Sequence, residues 1–221
     1  MSSSESSALF VAARASKLSR VQVQEVLEEL RNFHPDVSFS PIWIETSGDL
    51  NQTTSLRTLD KTDFFTREID QLLLAGGCRV AIHSAKDLPD PLPSGLVIAA
   101  ITRGVDSGDS LVLSQGVTLE TLPMHAKIGV SSQRREETLL TLRSDLKPVD
   151  IRGTIEKRLT LIEKGEVAGV VVAEAALIRL GLTHLNRLKL PGQTLPLQGK
   201  LAVIVRDSDE EMLKLFATLS G

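Results

Sequence analysis

The segment HSAKDLP, at residues 83–89, brings a hydroxyl, an ammonium group and a carboxylate together in Ser84, Lys86 and Asp87. It follows an apolar run at 79–83 that predicts a strand, and it continues into a proline-rich loop. Open α/β sheets bind ligands beyond the carboxyl ends of their strands, so these side chains are placed for chemistry. The Asp87 carboxylate could accept a hydrogen bond from a ligand N–H and stabilise a developing cation. The alternative is a strand followed by a solvated loop.

A second group of polar residues, Ser131-Ser132-Gln133-Arg134-Arg135, follows a predicted strand at 127–130 and opens a predicted helix at 132–143. Backbone N–H groups and serine hydroxyls at a helix N-terminus favour an anion. Two arginines in the first turn oppose the helix dipole and therefore need an explanation. A bound carboxylate or phosphate, held by forked hydrogen bonds, would supply one. A solvated basic helix face is the alternative.

Four further arginines lie at or beyond predicted strand ends. Arg152 follows the strand at 148–151, Arg158 lies about one and a half turns further along, Arg179 follows the strand at 169–173, and Arg14 follows the strand at 8–13. The chain carries a net charge of −3, so this placement does not reflect a general excess of basic residues. We predict a ligand with several carboxylates, bound in a cleft between two lobes.

Composition excludes several other classes of function. Aromatic residues make up 3% of the chain, which with the negative charge disfavours nucleic-acid binding. Neither a signal peptide nor an apolar run long enough for a membrane span is visible, so we expect a cytoplasmic protein with no membrane partner. The four histidines lack metal-ligand spacing, and we predict no metal. The single cysteine, Cys78, is interpreted as a partly buried structural thiol.

Strand patterns alternate with helical patterns along the chain, which is typical of α/β architecture. Besides the strands above, we predict strands at 37–45, 96–101 and 200–205, and helices that include 64–75, 154–163 and 209–219. Ser16 is a candidate cap for a helix whose apolar face contains Val23 and Leu30. The polar stretch 47–63 is predicted to be a mobile functional loop, and 102–109 to be a crossing between two lobes.

Taken in order, the motifs resemble those of the porphobilinogen deaminase (hydroxymethylbilane synthase) family over about 200 residues. The stretches that carry the resemblance are AARASKLSRVQ, TSGD, HSAKDLP with LPSGLVIAAITRGVDSGDSLV, IGVSSQRREETLLTLRSDLKPVDIRGTIEKRL, AEAALIRLGL and LPLQGKLAVIVR. The resemblance implies two lobes like those of type II periplasmic binding proteins, each a mixed sheet flanked by helices, with a cleft between the lobes. Lobe 1 would comprise 8–101 plus 200–221, and lobe 2 would comprise 107–194.

The resemblance also implies roles for individual residues. Asp87 matches the catalytic aspartate, and Lys86, Ser84, Arg14 and Ser16 match residues around it. Residues that would bind acetate and propionate groups of the cofactor, substrate and growing chain are Ser132, Arg134, Arg135, Arg152, Arg158 and Arg179. Gln198 lies in a shortened counterpart of a Gly-Gln-Gly segment, and Lys61 lies in the family's mobile loop, here without its glycines. The reaction implied is the head-to-tail joining of four porphobilinogens with loss of ammonia, giving hydroxymethylbilane for haem biosynthesis.

The family's dipyrromethane cofactor is attached to a cysteine in a third domain, and this chain ends at Gly221, where that domain should begin. Cys78 matches no cofactor position, so we expect that no covalent dipyrromethane is present. Two hypotheses follow: an active porphobilinogen deaminase-like transferase, and an impaired relative that binds porphobilinogen or another polycarboxylate. The presence of Asp87 and Lys86 favours the first, because anion binding alone does not need a carboxylate. We expect a monomer whose partners are porphobilinogen and the polypyrrole chain.

Overall fold

The structure, a computed structural model, describes residues 8–51, 54–55 and 62–219. The chain divides into two compact units. Unit 1 comprises Met1–Leu50, Lys61–Gly104 and Lys200–Gly221, and unit 2 comprises Asn51–Asp60 and Val105–Gly199. The change of unit after Gly104 lies within the predicted crossing at 102–109. Asn51 groups with unit 2, unlike in the predicted boundaries, and its carbonyl accepts a hydrogen bond from the Arg152 guanidinium at 2.7 Å.

Unit 1 is built on a five-stranded mixed sheet. Its strands, in the spatial order β2-β1-β3-β10-β4, are β2 (Phe39–Ile44), β1 (Leu9–Arg14), β3 (Val80–Ser84), β10 (Leu201–Arg206) and β4 (Leu96–Ile101). Strands β1, β2 and β3 are parallel, whereas β10 runs antiparallel to both β3 and β4. The edge position of β2 explains how Pro41 is accommodated within a strand.

Helices cover both faces of this sheet. Helices α1 (Lys17–Arg31) and α7 (Glu210–Phe216) contribute buried residues such as Leu30 and Phe216 to one core. On the opposite face, α3 (Arg67–Leu74) buries Ile69 and Leu73. Each fully buried side chain of this size contributes about 1.5–3 kcal/mol to folding. The predicted helix at 64–75 is shorter than expected because Thr66, with φ −119°, separates a 3-10 turn from α3.

Unit 2 repeats this architecture. Its strands, in the order β7-β6-β8-β5-β9, are β7 (Lys147–Asp150), β6 (Lys127–Val130), β8 (Gly169–Ala173), β5 (Asp109–Leu113) and β9 (Arg187–Lys189). Strands β6, β7 and β8 are parallel, and β5 runs antiparallel to β8 and β9. Strands β5 and β9 were not among the predicted strands.

Several helices begin at polar residues that the sequence placed at their starts. The predicted cap Ser16 accepts a hydrogen bond from the Ser19 N–H, and Ser132 accepts one from the Arg135 N–H before α4 (Gln133–Leu142). Thr154 caps α5 (Ile155–Glu163) in the same way. The shorter helices are α2 (Ser47–Leu50) and α6 (Glu174–Arg179). Among the described residues, no helix is long and apolar enough to cross a membrane.

Candidate functional site

In unit 1, the candidate residues lie at one edge of the sheet. The parallel strands β1, β2 and β3 all end there, with Arg14 paired to Ile44 and with Ser84 as the last residue of β3. The chain then forms a 3-10 turn at Ala85–Asp87, in which the buried Ala85 donates its N–H to the Lys200 carbonyl at 3.0 Å. The backbone of the HSAKDLP motif is therefore anchored to β10 immediately before Lys86 and Asp87.

Asp87 presents an available carboxylate at this edge. Its side chain is half-buried, and no hydrogen bond or ion pair joins its carboxylate to any group in the described part of the chain. Lys86, also half-buried, lies on the same turn. The Ser84 hydroxyl accepts a hydrogen bond from the Gln22 amide of α1 at 2.9 Å, which fixes the Ser84 side chain against this helix. This arrangement leaves the acceptor oxygens of Asp87 for a ligand N–H.

Arg14 is engaged within unit 1. Its guanidinium forms a two-point ion pair with Asp49, one bond of which joins Nε to Oδ2 at 3.2 Å, and it lies 4.4 Å from the centre of the Phe65 ring. Asp49 also accepts a hydrogen bond from the Thr46 hydroxyl. Burial raises the pKa of the Asp49 carboxyl, but the hydrogen bonds and charge of Arg14 lower it by a larger amount. The net pKa therefore lies below its ordinary value. Arg14 is thus a fixed, partly neutralised cation.

The histidine of the motif lies beneath this edge. His83 is almost fully buried, and its Nε2 is 3.8 Å from Oδ1 of Asp70, another buried side chain. Burial, with a smaller effect of the Arg14 charge, lowers the pKa of His83 to about 4. Burial likewise raises the pKa of Asp70 to about 6. His83 is therefore a neutral core residue near pH 7.

The candidate residues of unit 2 lie at the equivalent edge of the second sheet. Strands β6, β7 and β8 end there. Ser131 directly follows β6, Glu174 directly follows β8, and Arg152 lies two residues after the last residue of β7. Asp109, the first residue of the antiparallel strand β5, reaches the same edge because it is paired with Ala173. Both units thus collect polar side chains where their parallel strands end.

Asp109 binds both arginines of the first turn of α4. Its carboxylate accepts hydrogen bonds from Nη2 of Arg134 at 2.5 Å and from Nε and Nη2 of Arg135 at 3.1 and 2.6 Å. Burial raises the pKa of the Asp109 carboxyl, but Arg135 and then Arg134 lower it more strongly, so the net pKa is below its usual range. The sequence predicted a bound anion beside these two arginines. The structure places the internal carboxylate of Asp109 there.

The remaining candidate arginines of unit 2 donate hydrogen bonds to backbone carbonyls and to a serine hydroxyl. Arg158 donates to the Gly153 carbonyl and, at 3.1 Å, to the Ser131 hydroxyl, which also accepts a hydrogen bond from Arg135. Arg152 is partly buried beside Asn51, and Arg179 donates to the Gly199 carbonyl at 2.9 Å. The structure therefore brings Arg134, Arg135 and Arg158 together around Asp109 and Ser131.

Gln198 joins the same cluster through an unusual segment. Its amide donates to Oδ1 of Asp109 at 3.1 Å and to the Ser107 carbonyl at 2.7 Å. Gly199 has φ +85°, and a Cβ there would lie 2.1 Å from the Asp106 carbonyl oxygen, so no other residue fits. Leu197 has φ +61°, in the left-handed region that favours glycine.

We expect Leu197→Gly to stabilise unit 2. A left-handed backbone costs a leucine about 1–2 kcal/mol, so after the entropy loss of a glycine the gain is about 1 kcal/mol. Thermal unfolding should show a Tm higher by about 2–4 °C. The matched control is Leu195→Gly, at a residue of similar exposure that lacks a positive φ, and it should lower the Tm. A lower Tm in both variants would show that Leu197 is not strained.

Three residues of these clusters had no assigned role in the sequence-based interpretation: Gln22, Asp49 and Asp109. A signal existed for Gln22, because it is a polar residue within the buried face of α1. Asp49 was visible in the TSGD motif, but its partner lies 35 residues away. Asp109 opens a strand that the sequence did not predict.

The other candidates are placed as follows. Cys78 is buried, and burial raises the pKa of its thiol to about 11. Lys61, predicted in the mobile loop, lies outside the described residues. Within residues 8–51, 54–55 and 62–219, no group of three or more His, Cys, Asp or Glu side chains is placed to hold a metal ion.

Solved structures with the same fold include periplasmic binding proteins of type II. A periplasmic substrate-binding protein of an ABC transporter from Coxiella burnetii has a TM-score of 0.58 and 16% identity, and covers 96% of this chain and 91% of its own. An ancestral cationic amino acid solute-binding protein has a TM-score of 0.60 and 9% identity, over 96% of this chain and 87% of its own. At such identities the likeness concerns the fold alone, and it confirms the predicted two-lobed α/β class.

Sequence comparisons are more specific. Residues 9–214 match the family model described as porphobilinogen deaminase, dipyromethane cofactor binding domain. The chain is 39% identical to the porphobilinogen deaminase of Roseiflexus sp. (strain RS-1), over 96% of this chain and 71% of that protein. It is 38% identical to the probable porphobilinogen deaminase of Chlamydia pneumoniae, over 96% of this chain and 89% of that protein. With the predicted motifs placed at the carboxyl edges of both sheets, these matches show that the chain belongs to the porphobilinogen deaminase family.

Proposed function

We propose that this chain is a transferase that joins porphobilinogen units head to tail with loss of ammonia, giving hydroxymethylbilane for tetrapyrrole biosynthesis. The observation that carries the proposal is the state of Asp87. The two edges hold several carboxylates, and Asp49 and Asp109 are both neutralised by arginine, whereas Asp87 is half-exposed and pairs with no described group. A simple anion-binding protein gains nothing from an unneutralised carboxylate at its ligand edge, because it repels the ligand.

The proposed reaction uses this charge directly. Loss of ammonia from the aminomethyl group of porphobilinogen leaves an azafulvenium cation, and a free pyrrole α-carbon attacks its methylene carbon. One C–C bond forms, one C–N bond breaks, and the α-proton of the attacking ring is released. After the fourth unit, water adds to the terminal azafulvenium carbon and supplies the hydroxyl group of the product. Asp87 accepts hydrogen bonds from pyrrole N–H groups and stabilises the cation, because a preorganised charge acts most strongly where charge develops. Lys86 lies beside Asp87 on the same turn.

The arginines of unit 2 are proposed to bind acetate and propionate groups. Arg134→Ala or Arg152→Ala should each weaken porphobilinogen binding by about 1.5–3 kcal/mol, the usual contribution of a charge-assisted hydrogen bond. Isothermal titration calorimetry measures this loss. Arg31→Ala, which removes an exposed arginine from the last turn of α1, is the control and should leave the affinity unchanged. Full affinity in both unit 2 variants would move the carboxylate site elsewhere.

The decisive experiment is incubation of the purified protein with porphobilinogen. Hydroxymethylbilane cyclises and oxidises to uroporphyrin, whose absorbance and fluorescence report turnover. Porphobilinogen binding without any product would instead support the second hypothesis, a relative that binds polycarboxylates without catalysis. Absence of both binding and product would exclude either function.

The arginines of this chain fit the family's dipyrromethane cofactor, whereas its only cysteine does not. The arginines around Asp109 suit its carboxylates, but a thioether to Cys78 does not fit, since that thiol is 2% exposed and the rise of its pKa to about 11 opposes thiolate formation. No step of the proposed reaction is therefore assigned to a group bound at Cys78. The monomeric state and the cytoplasmic location stay predictions, and light scattering after size exclusion tests the first.

A further inference from the structure

We propose that Asp109 is a positioning residue, which fixes the direction in which Arg134 and Arg135 present their guanidinium groups to carboxylates. The inference rests on the proposed function for the nature of the ligand. It assigns to a buried acidic residue a part in binding an acidic substrate.

The geometry around Asp109 carries this inference. Its side chain is 3% exposed, and it receives hydrogen bonds from three side chains that belong to two separate segments, the start of α4 and the stretch before β10. Arg135 is bound through both Nε and Nη2, so its plane is fixed relative to the carboxylate. Arg134 is bound through Nη2 and, by Nη1, to the Gln193 carbonyl at 3.2 Å.

The two arginines differ in what they leave for a ligand. The Arg135 side chain is 8% exposed and its Nη1 donates to Ser131, so most of its donors are used inside the unit. The Arg134 side chain is 26% exposed, and Asp109 and Gln193 together set its orientation. We therefore expect Arg134 to provide more of the ligand contact and Arg135 to support it.

Asp109 also reduces the electrostatic repulsion between the two arginines. Arg134 and Arg135 are adjacent cations in the first turn of a helix, where the dipole is unfavourable to positive charge. One carboxylate between them removes part of this repulsion. With Arg158 nearby through Ser131, the three arginines and one aspartate keep a net positive charge for an incoming carboxylate. Asp109 therefore orders the arginines without neutralising the group.

Asp109→Glu and Asp109→Asn test the inference. The first keeps the charge and moves the carboxylate by one methylene, and the second removes the charge. We expect the dissociation constant of porphobilinogen to rise at least about tenfold in both, since a displaced guanidinium loses a charge-assisted contact. The matched control is Asp145→Asn, which breaks a similar two-point pair with Arg143 in the same unit and should leave the affinity unchanged.

If Asp109 has a purely structural role, its substitution should lower the Tm but leave the dissociation constant of porphobilinogen unchanged. If the Tm falls in Asp109→Glu while the dissociation constant measured well below the Tm is unchanged, the positioning role is wrong. Should Asp109→Asn not fold, Asp109→Glu, which retains the negative charge, decides the question alone.

A ligand-independent measurement separates this inference from the proposed function. Phenylglyoxal modifies accessible, mobile arginines, and mass spectrometry reports the extent at each residue. We expect Arg134 and Arg135 to react several-fold faster in Asp109→Glu than in the wild-type protein, with Arg143 as the internal reference. Equal rates would overturn the inference. Failure of the wild-type protein to bind porphobilinogen would instead overturn the proposed function, and the modification rates would still decide the role of Asp109.

Discussion

Asp87→Asn should abolish uroporphyrin formation while the affinity for porphobilinogen changes little. Asparagine keeps the size and one acceptor oxygen of the side chain but loses the charge that we propose stabilises the azafulvenium cation. Removing one preorganised electrostatic group from an active site typically costs about 10²–10³ in kcat, and a charge that acts mainly in the cationic state affects kcat more than ground-state binding. Because Asp87 is half-buried and its carboxylate makes no hydrogen bond or ion pair in the described part of the chain, the substitution should not lower the Tm.

The control for this variant is Asp207→Asn, which removes a charge from an exposed turn of unit 1. It changes the net charge by the same amount and should leave both turnover and affinity as in the wild-type protein. Undiminished product formation by Asp87→Asn would exclude Asp87 from the mechanism. A large loss of affinity without loss of kcat would assign it to ground-state binding.

The features that could be predicted from the sequence are those set by neighbouring residues. Ser16 caps its helix as expected, and the helix predicted to begin at Ser132 begins there with Ser132 as its cap, because a cap needs only a hydroxyl and an N–H three residues later. Strand β8 has the predicted bounds, within an apolar run that lies between Glu166 and Glu174. The carboxyl-edge position of Asp87 and Arg152 followed from the strands before them.

The features that could not be predicted depend on distant pairs. Strand β5 begins at an aspartate and follows a glycine-containing crossing, so its polar start resembled a loop. Asp109 can be buried only because Arg134 and Arg135, about 25 residues later, supply its hydrogen bonds. Arg14 is likewise held by Asp49, which the strand pattern does not indicate.

These pairs change how the arginines are interpreted. The sequence indicated a ligand carboxylate beside the first turn of α4, and the structure places Asp109 there. Since one carboxylate serves two arginines, and Arg158 is joined to them only through a serine hydroxyl, the group still carries more positive than negative charge. The proposed anion site would thus be built from arginines that are themselves hydrogen-bonded to an internal carboxylate.

Intact-mass measurement of the purified 221-residue protein should give the mass of the polypeptide alone. Attachment of a dipyrromethane needs the sulfur of Cys78 to attack an electrophilic pyrrole carbon, and the thiolate is the reactive form. That sulfur is buried in the core of unit 1 with Ile69 and Leu73, and burial raises its pKa to about 11. At pH 7 the thiolate fraction is about one in 10⁴, and the surrounding side chains leave no access for a pyrrole.

Ehrlich's reagent should accordingly give no protein-bound colour after denaturation. Any turnover would then start from a diffusible primer, held by Arg134, Arg135, Arg152 and Arg158. Such a primer lacks the effective concentration that a tether provides, so we expect a slow reaction with a lag that added polypyrrole shortens. Apart from the exchange of sulfur for oxygen, Cys78→Ser should leave the protein's mass unchanged. The lag and the rate should also equal those of the wild-type protein. A mass increase of two pyrrole units that disappears in Cys78→Ser would show instead that this thiol becomes accessible and carries the cofactor, because no other cysteine exists in the chain.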